Sequence, residues 1–505
     1  MLATVHSFAL EGINAVPVKV EVDVGGGYPN FAIVGLPATT VRESRERIAS
    51  ALRNSGFGFP SEKIIVNLAP ASIPKSGTSL DLPLAVGIMA ALQKLSCRRL
   101  ERTFVAGEVS LDGKVRRVRG VLSMAIRCRQ RAGWRFLVPA GNGEEARAIR
   151  GIPVSEASDL RQVAELLKGD DWPVSHGTEN ADGEAPQGPC FSEVRGQPMA
   201  KRALEVAAAG GHNVLLLGPP GTGKTLLAGR LPGILPPLSF EESLEVTQIH
   251  SAAGLLEAGS GLLWRRPFRA PHHTASPAGL AGGGRPIRPG EISQAHHGVL
   301  FLDELPEFSR QVLEILRQPL ESGEIKLVRA GWSVRFPSRF TLVAAMNPCP
   351  CGHWGDSRKP CRCTETERRR YFTRISGPLL DRLDMHVEVA GMEVEELDGT
   401  AGGEPSHVIR ARVLQARKTQ ARRQGTAHCN AALTPKEIPA VCRPSREAKE
   451  ILRRAFQRLG LSARSYHRIL KVSRTVADLQ GRETIAADDV IEALQYRILD
   501  RREEA

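Results

Sequence analysis

The segment Gly218-Pro219-Pro220-Gly221-Thr222-Gly223-Lys224-Thr225 constrains this chain more than any other feature. It matches G-x-x-x-x-G-K-[ST] in full, follows an apolar run at residues 212–217 that reads as a strand, and leads through Leu226 into a run that reads as a helix. Glycines there let backbone N–H groups turn onto phosphate oxygens, Lys224 is placed to reach the β- and γ-phosphates, and the Thr225 hydroxyl is placed to ligate Mg²⁺. The strand–loop–helix context predicts a P-loop α/β core that binds ATP with Mg²⁺.

Two further strand ends point to the same site. The run Val299-Leu300-Phe301-Leu302 suits a central parallel strand and ends in Asp303 and Glu304. A carboxylate at the first position holds Mg²⁺ in P-loop enzymes, which leaves Glu304 as general base for the attacking water. A third apolar run, residues 340–346, ends at Asn347, whose amide is placed to orient that water; an asparagine before Pro348 also makes a good turn.

The 505 residues call for about two to four domains. Residues 168–189 are polar, rich in Gly, Pro and acids, and read as a linker. Before it, residues 1–167 alternate strand-like runs (64–68, 103–109, 136–138) with helical ones (41–54, 82–95, 120–132), which predicts an α/β domain. Residues 190–397 form the expected ATPase core, and 398–505 read as almost wholly helical, with helices at 446–459, 465–479 and 487–499. With 68 Lys and Arg against 55 Asp and Glu, the net charge of +13 suits a polyanionic partner and equally a well-solvated basic enzyme. No apolar run approaches the ~18 residues of a membrane span, and the first ten residues lack a secretory signal, so a cytoplasmic protein without membrane contact is expected. The nine cysteines are then expected as reduced thiols or metal ligands.

Four of those cysteines, Cys349, Cys351, Cys361 and Cys363, fall in one loop-rich segment with His353 nearby. Four thiolates in tetrahedral reach suit structural Zn²⁺, although the C-x-C spacing is unusual and free thiols stay open. Residues 321–336 alternate around a Gly-Trp turn and predict a β-hairpin carrying Lys326 and Arg329. The stretch 410–423 holds six basic residues and no acid, and Arg368-Arg369-Arg370 precedes Tyr371-Phe372; both suit a DNA channel or a solvated helix face.

Four long motifs in order, Phe268-Arg-Ala-Pro-His-His-Thr-Ala-Ser276, Pro289-Gly-Glu-Ile-Ser-Gln-Ala-His296, Phe301-Leu-Asp-Glu-Leu-Pro-Glu-Phe308 and Ala345-Met-Asn-Pro-Cys-Pro-Cys-Gly352, resemble the ComM/YifB family of magnesium-chelatase-like AAA+ ATPases. The resemblance covers nearly the whole chain. It implies an AAA+ core with a C-terminal helical lid, a hexameric ring acting on single-stranded or branched DNA, and branch-migration helicase activity in natural transformation. The magnesium chelatase relatives leave a motor that remodels a protein partner open as well. The resemblance places Asn347 at the sensor-1 position and Arg382 at the arginine finger that enters the neighbouring subunit's site, with Arg374 second. It places Arg464 in the sensor-2 helix, contacting phosphate in its own subunit, with Arg468 second. In related ring helicases a hairpin like that at 321–336 points into the pore, so Lys326 and Arg329 become DNA-contact candidates. Residues 248–266 lie where magnesium-chelatase-like proteins carry an extra hairpin, and their apolar Gly-Leu-Leu runs suit packing surface equally well.

Residues 71–82 and 107–115 resemble the proteolytic domain of Lon (S5-type fold), with Ser79 at the position of the nucleophilic serine. The matching lysine position is Leu122, which cannot act as a base, so a Lon-like fold without peptidase activity is expected; Lys114 is the one residue that could restore a dyad, and an ATP-dependent protease the reading it would support.

Overall fold

The computed structural model describes residues 1–95, 97–168, 188–329, 332–356, 358–391, 403–425 and 428–499. Most of the expected linker at 168–189 lies outside these, as do residues 398–402 at the start of the expected helical part.

The N-terminal part is built on a mixed seven-stranded sheet in the order Phe31–Val34, Lys63–Ala69, Asn14–Gly25, Leu2–Glu11, Thr103–Val105, Arg135–Pro139, Val154–Ala157. Leu2–Glu11 and Asn14–Gly25 pair antiparallel around the tight turn at Gly12-Ile13. Side chains alternate between faces with period two, so Val5 and Ala9 enter one core and Phe8 the other. Helix Asp81–Ala91, buried along its whole length, covers the first face; helix Val121–Arg129 covers the second.

The second sheet is wholly parallel, in the order Phe268–Arg269, Val299–Leu302, Thr341–Met346, Val214–Leu217, Met385–Glu388. The three central strands are buried on both faces, which is why they read as unbroken apolar runs. Val214, Leu216, Phe301, Val343 and Ala345 face one core, while Leu215, Leu217, Leu300, Leu302 and Leu342 face the other. Between the second and third of these strands stands an antiparallel hairpin, Glu324–Arg329 with Trp332–Pro337, close to the expected position. The extra hairpin is not at 248–266: residues 248–253 continue helix Phe240–Ala253, and the short pairing of Gly282–Gly283 with Arg288–Pro289 lies after strand Phe268–Arg269. Ser239 and Glu242 cap that helix reciprocally, an arrangement the sequence signals with Ser-x-x-Glu.

Helices Ser406–Gln424, Arg446–Arg458, Ala463–Leu479 and Ala487–Gln495 close the chain and share the core of helix Pro198–Gly210. Three of them lie within a few residues of the expected helices. Ser445 and Ser462 cap two of them, each through its hydroxyl. The basic stretch 410–423 is not a free DNA-facing surface. Arg410 donates to Gly233 O at 2.9 Å, Arg412 pairs with Glu205 and Glu404, Arg417 donates to Ala208 O at 2.7 Å, and Arg423 pairs with Asp478 at 2.6 Å. Charge counting cannot tell a solvated face from a docked one, and here four of the six cations fasten the helix to its neighbours.

The N-terminal and ATPase parts meet through side chains from both. Gln248 Nε2 donates to Ile13 O at 3.0 Å, and Arg117 donates to Glu257 O at 2.9 Å. The buried Glu145, its carboxyl pushed up by desolvation, accepts from the Leu122 N–H at 2.9 Å and from the Ser251 hydroxyl. Ile13, Ile249, Ala252, Val334 and Phe336 form a small core of their own, which seats the base of the long hairpin against the Gly12-Ile13 turn.

Candidate nucleotide site

The turn after strand Val214–Leu217 is dictated by close approach. A Cβ on Gly218 would lie 2.2 Å from Val389 O, and Gly223 turns into helix Lys224–Ile234 with φ of 83°, a conformation side-chain-bearing residues avoid. Gly221, with φ of 79°, shares that hand, and Thr222 Oγ1 donates to Pro219 O at 3.0 Å to close the loop. The loop thus sits at the carboxyl end of a central strand, with its backbone opening onto a helix N-terminus. Leu226 follows in the first turn and is partly exposed.

The strand ends converge as expected. Thr225 Oγ1 donates to Asp303 Oδ2 at 2.7 Å, so the hydroxyl and the carboxylate stand side by side and suit a shared Mg²⁺. Lys224 Nζ donates to Gly218 O at 2.7 Å, Pro219 O at 2.8 Å and Asn347 Oδ1 at 3.2 Å. Burial lowers Lys224 to about 8, opposed by the charges of Asp303 and Glu304. Glu304 adopts φ of 52°, sparsely populated for a side-chain-bearing residue, and its backbone N–H donates to Asp303 Oδ1 at 2.9 Å. Its side chain is exposed and reaches His273 Nδ1 at 3.4 Å. His273 belongs to the Phe268–Ser276 motif, and its partnership with Glu304 joins positions 31 residues apart and leaves no local signal.

Arg382, expected in the neighbouring subunit's site, and Arg464, expected in its own, both stand away from their own P-loop. Asn213, the residue before strand Val214–Leu217, donates from Nδ2 to Arg382 O at 3.1 Å and from its backbone to Asp384 Oδ2 at 3.0 Å. Arg382 therefore lies at the amino end of a strand whose carboxyl end carries the P-loop, ~13 Å away for four residues. Its guanidinium is paired with Glu321. Arg464, 71% exposed, is 3.4 Å from Asp381, and Arg468 lies near both Asp381 and Asp384. Arg464 is thus at this same amino end and not beside its own P-loop, contrary to the expected contact within one subunit. Arg374 pairs with Glu307 at 2.9 Å.

The cysteine segment packs directly on this site. A Cβ on Gly352 would lie 2.8 Å from Pro220 Cδ, and Cys349 follows Asn347 by two residues. The Sγ atoms of Cys349, Cys351 and Cys361 are 3.4 to 3.7 Å apart, and all four thiols lie within 4.8 Å of one another. Zn–S bonds of ~2.3 Å in a tetrahedron set sulfurs ~3.8 Å apart, so the donor set fits zinc. The Trp354 and Cys363 backbone N–H groups donate to Cys349 and Cys361 sulfurs, orienting them as metal ligands are oriented. His353 is engaged with Asp356 instead, and Arg368 stacks over Trp354. On the hairpin, Lys326 is exposed; Arg329 ends its strand, and its side chain lies outside the described residues.

Residues 190–397 match the family model described as magnesium chelatase, subunit ChlI, and residues 20–142 and 403–497 match two further models of that subunit. Competence protein ComM of Haemophilus influenzae is 44% identical over 507 residues, covering 99% of this chain and 98% of its own, and YifB of Escherichia coli is 44% identical over 503 residues with the same coverage. The chain belongs to the ComM/YifB family. The magnesium-chelatase 38 kDa subunit of Rhodobacter capsulatus is 28% identical over 176 residues, 31% of this chain and 50% of its own. ComM/YifB proteins thus share a magnesium-chelatase-type AAA+ unit, which brings ATP hydrolysis with Mg²⁺ and assembly into oligomers. Among the described residues no helix is long and apolar enough to cross a membrane.

In the N-terminal part, Leu122 is buried and Ser79 nearly so. Lys114 is exposed and pairs with Asp112 at 3.3 Å; among the described residues no hydrogen bond joins Ser79 to a lysine.

Proposed function

We propose that this protein is an ATP-driven DNA motor working as a hexameric ring, a branch-migration helicase that promotes DNA integration in natural transformation and recombination. The observation that carries this reading is the end-to-end match to a competence protein, with a complete P-loop site in the same chain. Identity to the magnesium-chelatase 38 kDa subunit, 28% over 31% of the chain, is far weaker than the 44% to a competence protein over 99% of it, which favours a DNA motor over a chelatase-like remodeller of proteins.

Each residue then has a task. Bound ATP with Mg²⁺ supplies the scissile anhydride and the cation. Gly218 to Thr225 cradle the phosphates, Thr225 and Asp303 hold the metal, and Glu304 takes the proton of the attacking water. Asn347 orients that water. Arg382 and Arg464, at the far end of the strand from their own P-loop, serve the neighbouring subunit, and Arg382 leaves Glu321 when it does so. Cys349, Cys351, Cys361 and Cys363 would hold structural Zn²⁺, and their loop, with Gly352 against Pro220, would steady the P-loop. The hairpin presents Lys326 and Arg329 to DNA phosphates. The N-terminal sheet is a Lon-like platform without a peptidase dyad, and the C-terminal helices are the lid domain.

The test is ATP turnover with and without branched DNA near physiological salt. Stimulation is expected, and Lys326→Glu with Arg329→Glu should weaken it while leaving basal turnover intact. Turnover indifferent to DNA in an assembled ring would leave the protein-remodelling reading in its place.

A further inference from the structure

Where the N-terminal part meets the ATPase part, a groove of about 560 Å³ opens between Arg129 and Arg150 on one side and Leu238, Phe240, Leu244 and Trp264 on the other. That volume suits one nucleotide-sized ligand. Both arginines are exposed, and among the described residues neither has an ion pair or a side-chain hydrogen bond. Phe240 is 41% exposed, and neither it nor Trp264 stacks on another ring among the described residues. Two other arginines of this unit are committed: Arg147 is held by Glu144 and Glu156, and Arg131 covers Phe104 and Trp134. The acids at the start of helix Phe240–Ala253 are also engaged, Glu241 by the Ser239 hydroxyl and Glu242 by Arg266. Two uncommitted guanidiniums facing two uncommitted aromatic rings form a surface with no internal partner.

We infer that this groove binds one nucleotide of a single DNA strand, its base against Trp264 and Phe240 and its flanking phosphates on Arg129 and Arg150. The charge fits a polyanion, and an aromatic wall accepts any base because every base has a π-face. A protein ligand of acidic residues would satisfy the arginines and leave the rings without purpose. The inference rests on the DNA-motor reading and adds to it a contact outside the hairpin, on the seam between the two sheets. A strand seated there would touch both parts at once.

The experiment uses the full-length protein and labelled oligothymidylate, with affinity followed as salt is raised. Each phosphate contact to a single strand contributes ~0.7 to the slope of log affinity against log salt, so Arg129→Gln with Arg150→Gln should flatten it by about 1.4. Trp264→Ala should weaken binding about tenfold or more at fixed salt and leave the slope unchanged. Basal ATP turnover should match wild type in both variants, which also reports that they fold. Unchanged slope and affinity in both, with wild-type turnover still stimulated by DNA, overturns the groove while sparing the motor. Equally tight binding of free thymidine monophosphate, lost in the same variants, overturns the strand assignment. Wild-type turnover that ignores DNA counts against the motor reading, and the salt slopes still decide the groove.

Discussion

In the proposed mechanism Lys224 and Glu304 act at different stages of one reaction, so removing them should separate binding from hydrolysis. Lys224→Ala deletes a phosphate contact and should abolish ATP binding, whereas Glu304→Gln keeps the shape of the site and should bind ATP while turnover falls about 10²- to 10⁴-fold. Comparable turnover in Glu304→Gln and wild type, with binding measured alongside, removes Glu304 as the base. Lys224 also sets a pH dependence. Burial lowers it to about 8, and phosphate needs its charged form. Below that pH the ammonium is already present; above it, binding must take up a proton, so ATP affinity should fall by up to tenfold per pH unit. Lys224→Arg stays charged and should keep a flat profile above pH 8, whatever its absolute affinity. A wild-type affinity that holds constant from about pH 7 to 9.5 contradicts this. These residues were legible because each ends or follows an apolar run and carries a residue type that phosphate chemistry demands. His273 was not, since nothing in its own neighbourhood announces Glu304.

Among the elements, those with strong periodicity were readable and those defined by contact were not. The hairpin at Glu324–Arg329 and Trp332–Pro337 shows in its alternation. The pairing of Gly282–Gly283 with Arg288–Pro289 has no apolar alternation to reveal it, and the Gly-Leu-Leu runs at 254–263 form no strand. The helix Ser406–Gln424 carried charge enough for a DNA surface, and only its docking on helix Pro198–Gly210 shows where Arg410, Arg412, Arg417 and Arg423 go. For the cysteine segment, sequence spacing left zinc and free thiols open, and the sulfur separations favour metal. Elemental analysis should find one Zn²⁺ per chain, absent from Cys349→Ser with Cys361→Ser. Because Gly352 abuts Pro220, a chelator that strips the metal should also lower ATP turnover. A metal-free protein that is folded and fully active excludes the structural role.

For the whole molecule, arginines placed at the strand end opposite the P-loop would, in the proposed mechanism, make a single chain an incomplete ATPase. An Arg382→Ala subunit lacks the finger and a Lys224→Ala subunit lacks the pocket, so each alone should be inactive. Mixed together they should recover part of the turnover, because some interfaces pair an intact pocket with an intact finger. No recovery in mixed rings of confirmed assembly argues against action across subunits. The same molecule joins its hairpin, its N-terminal turn at Gly12-Ile13 and helix Phe240–Ala253 through one small core, and on the proposed reading that core would link a strand held on the hairpin to the ATPase part. The most direct measurement of that coupling is displacement of a labelled strand from a branched junction by the assembled ring near physiological salt. With ATP the wild type should release the strand, and Lys224→Ala should not. A wild-type ring that hydrolyses ATP yet leaves the junction intact contradicts the DNA-motor reading.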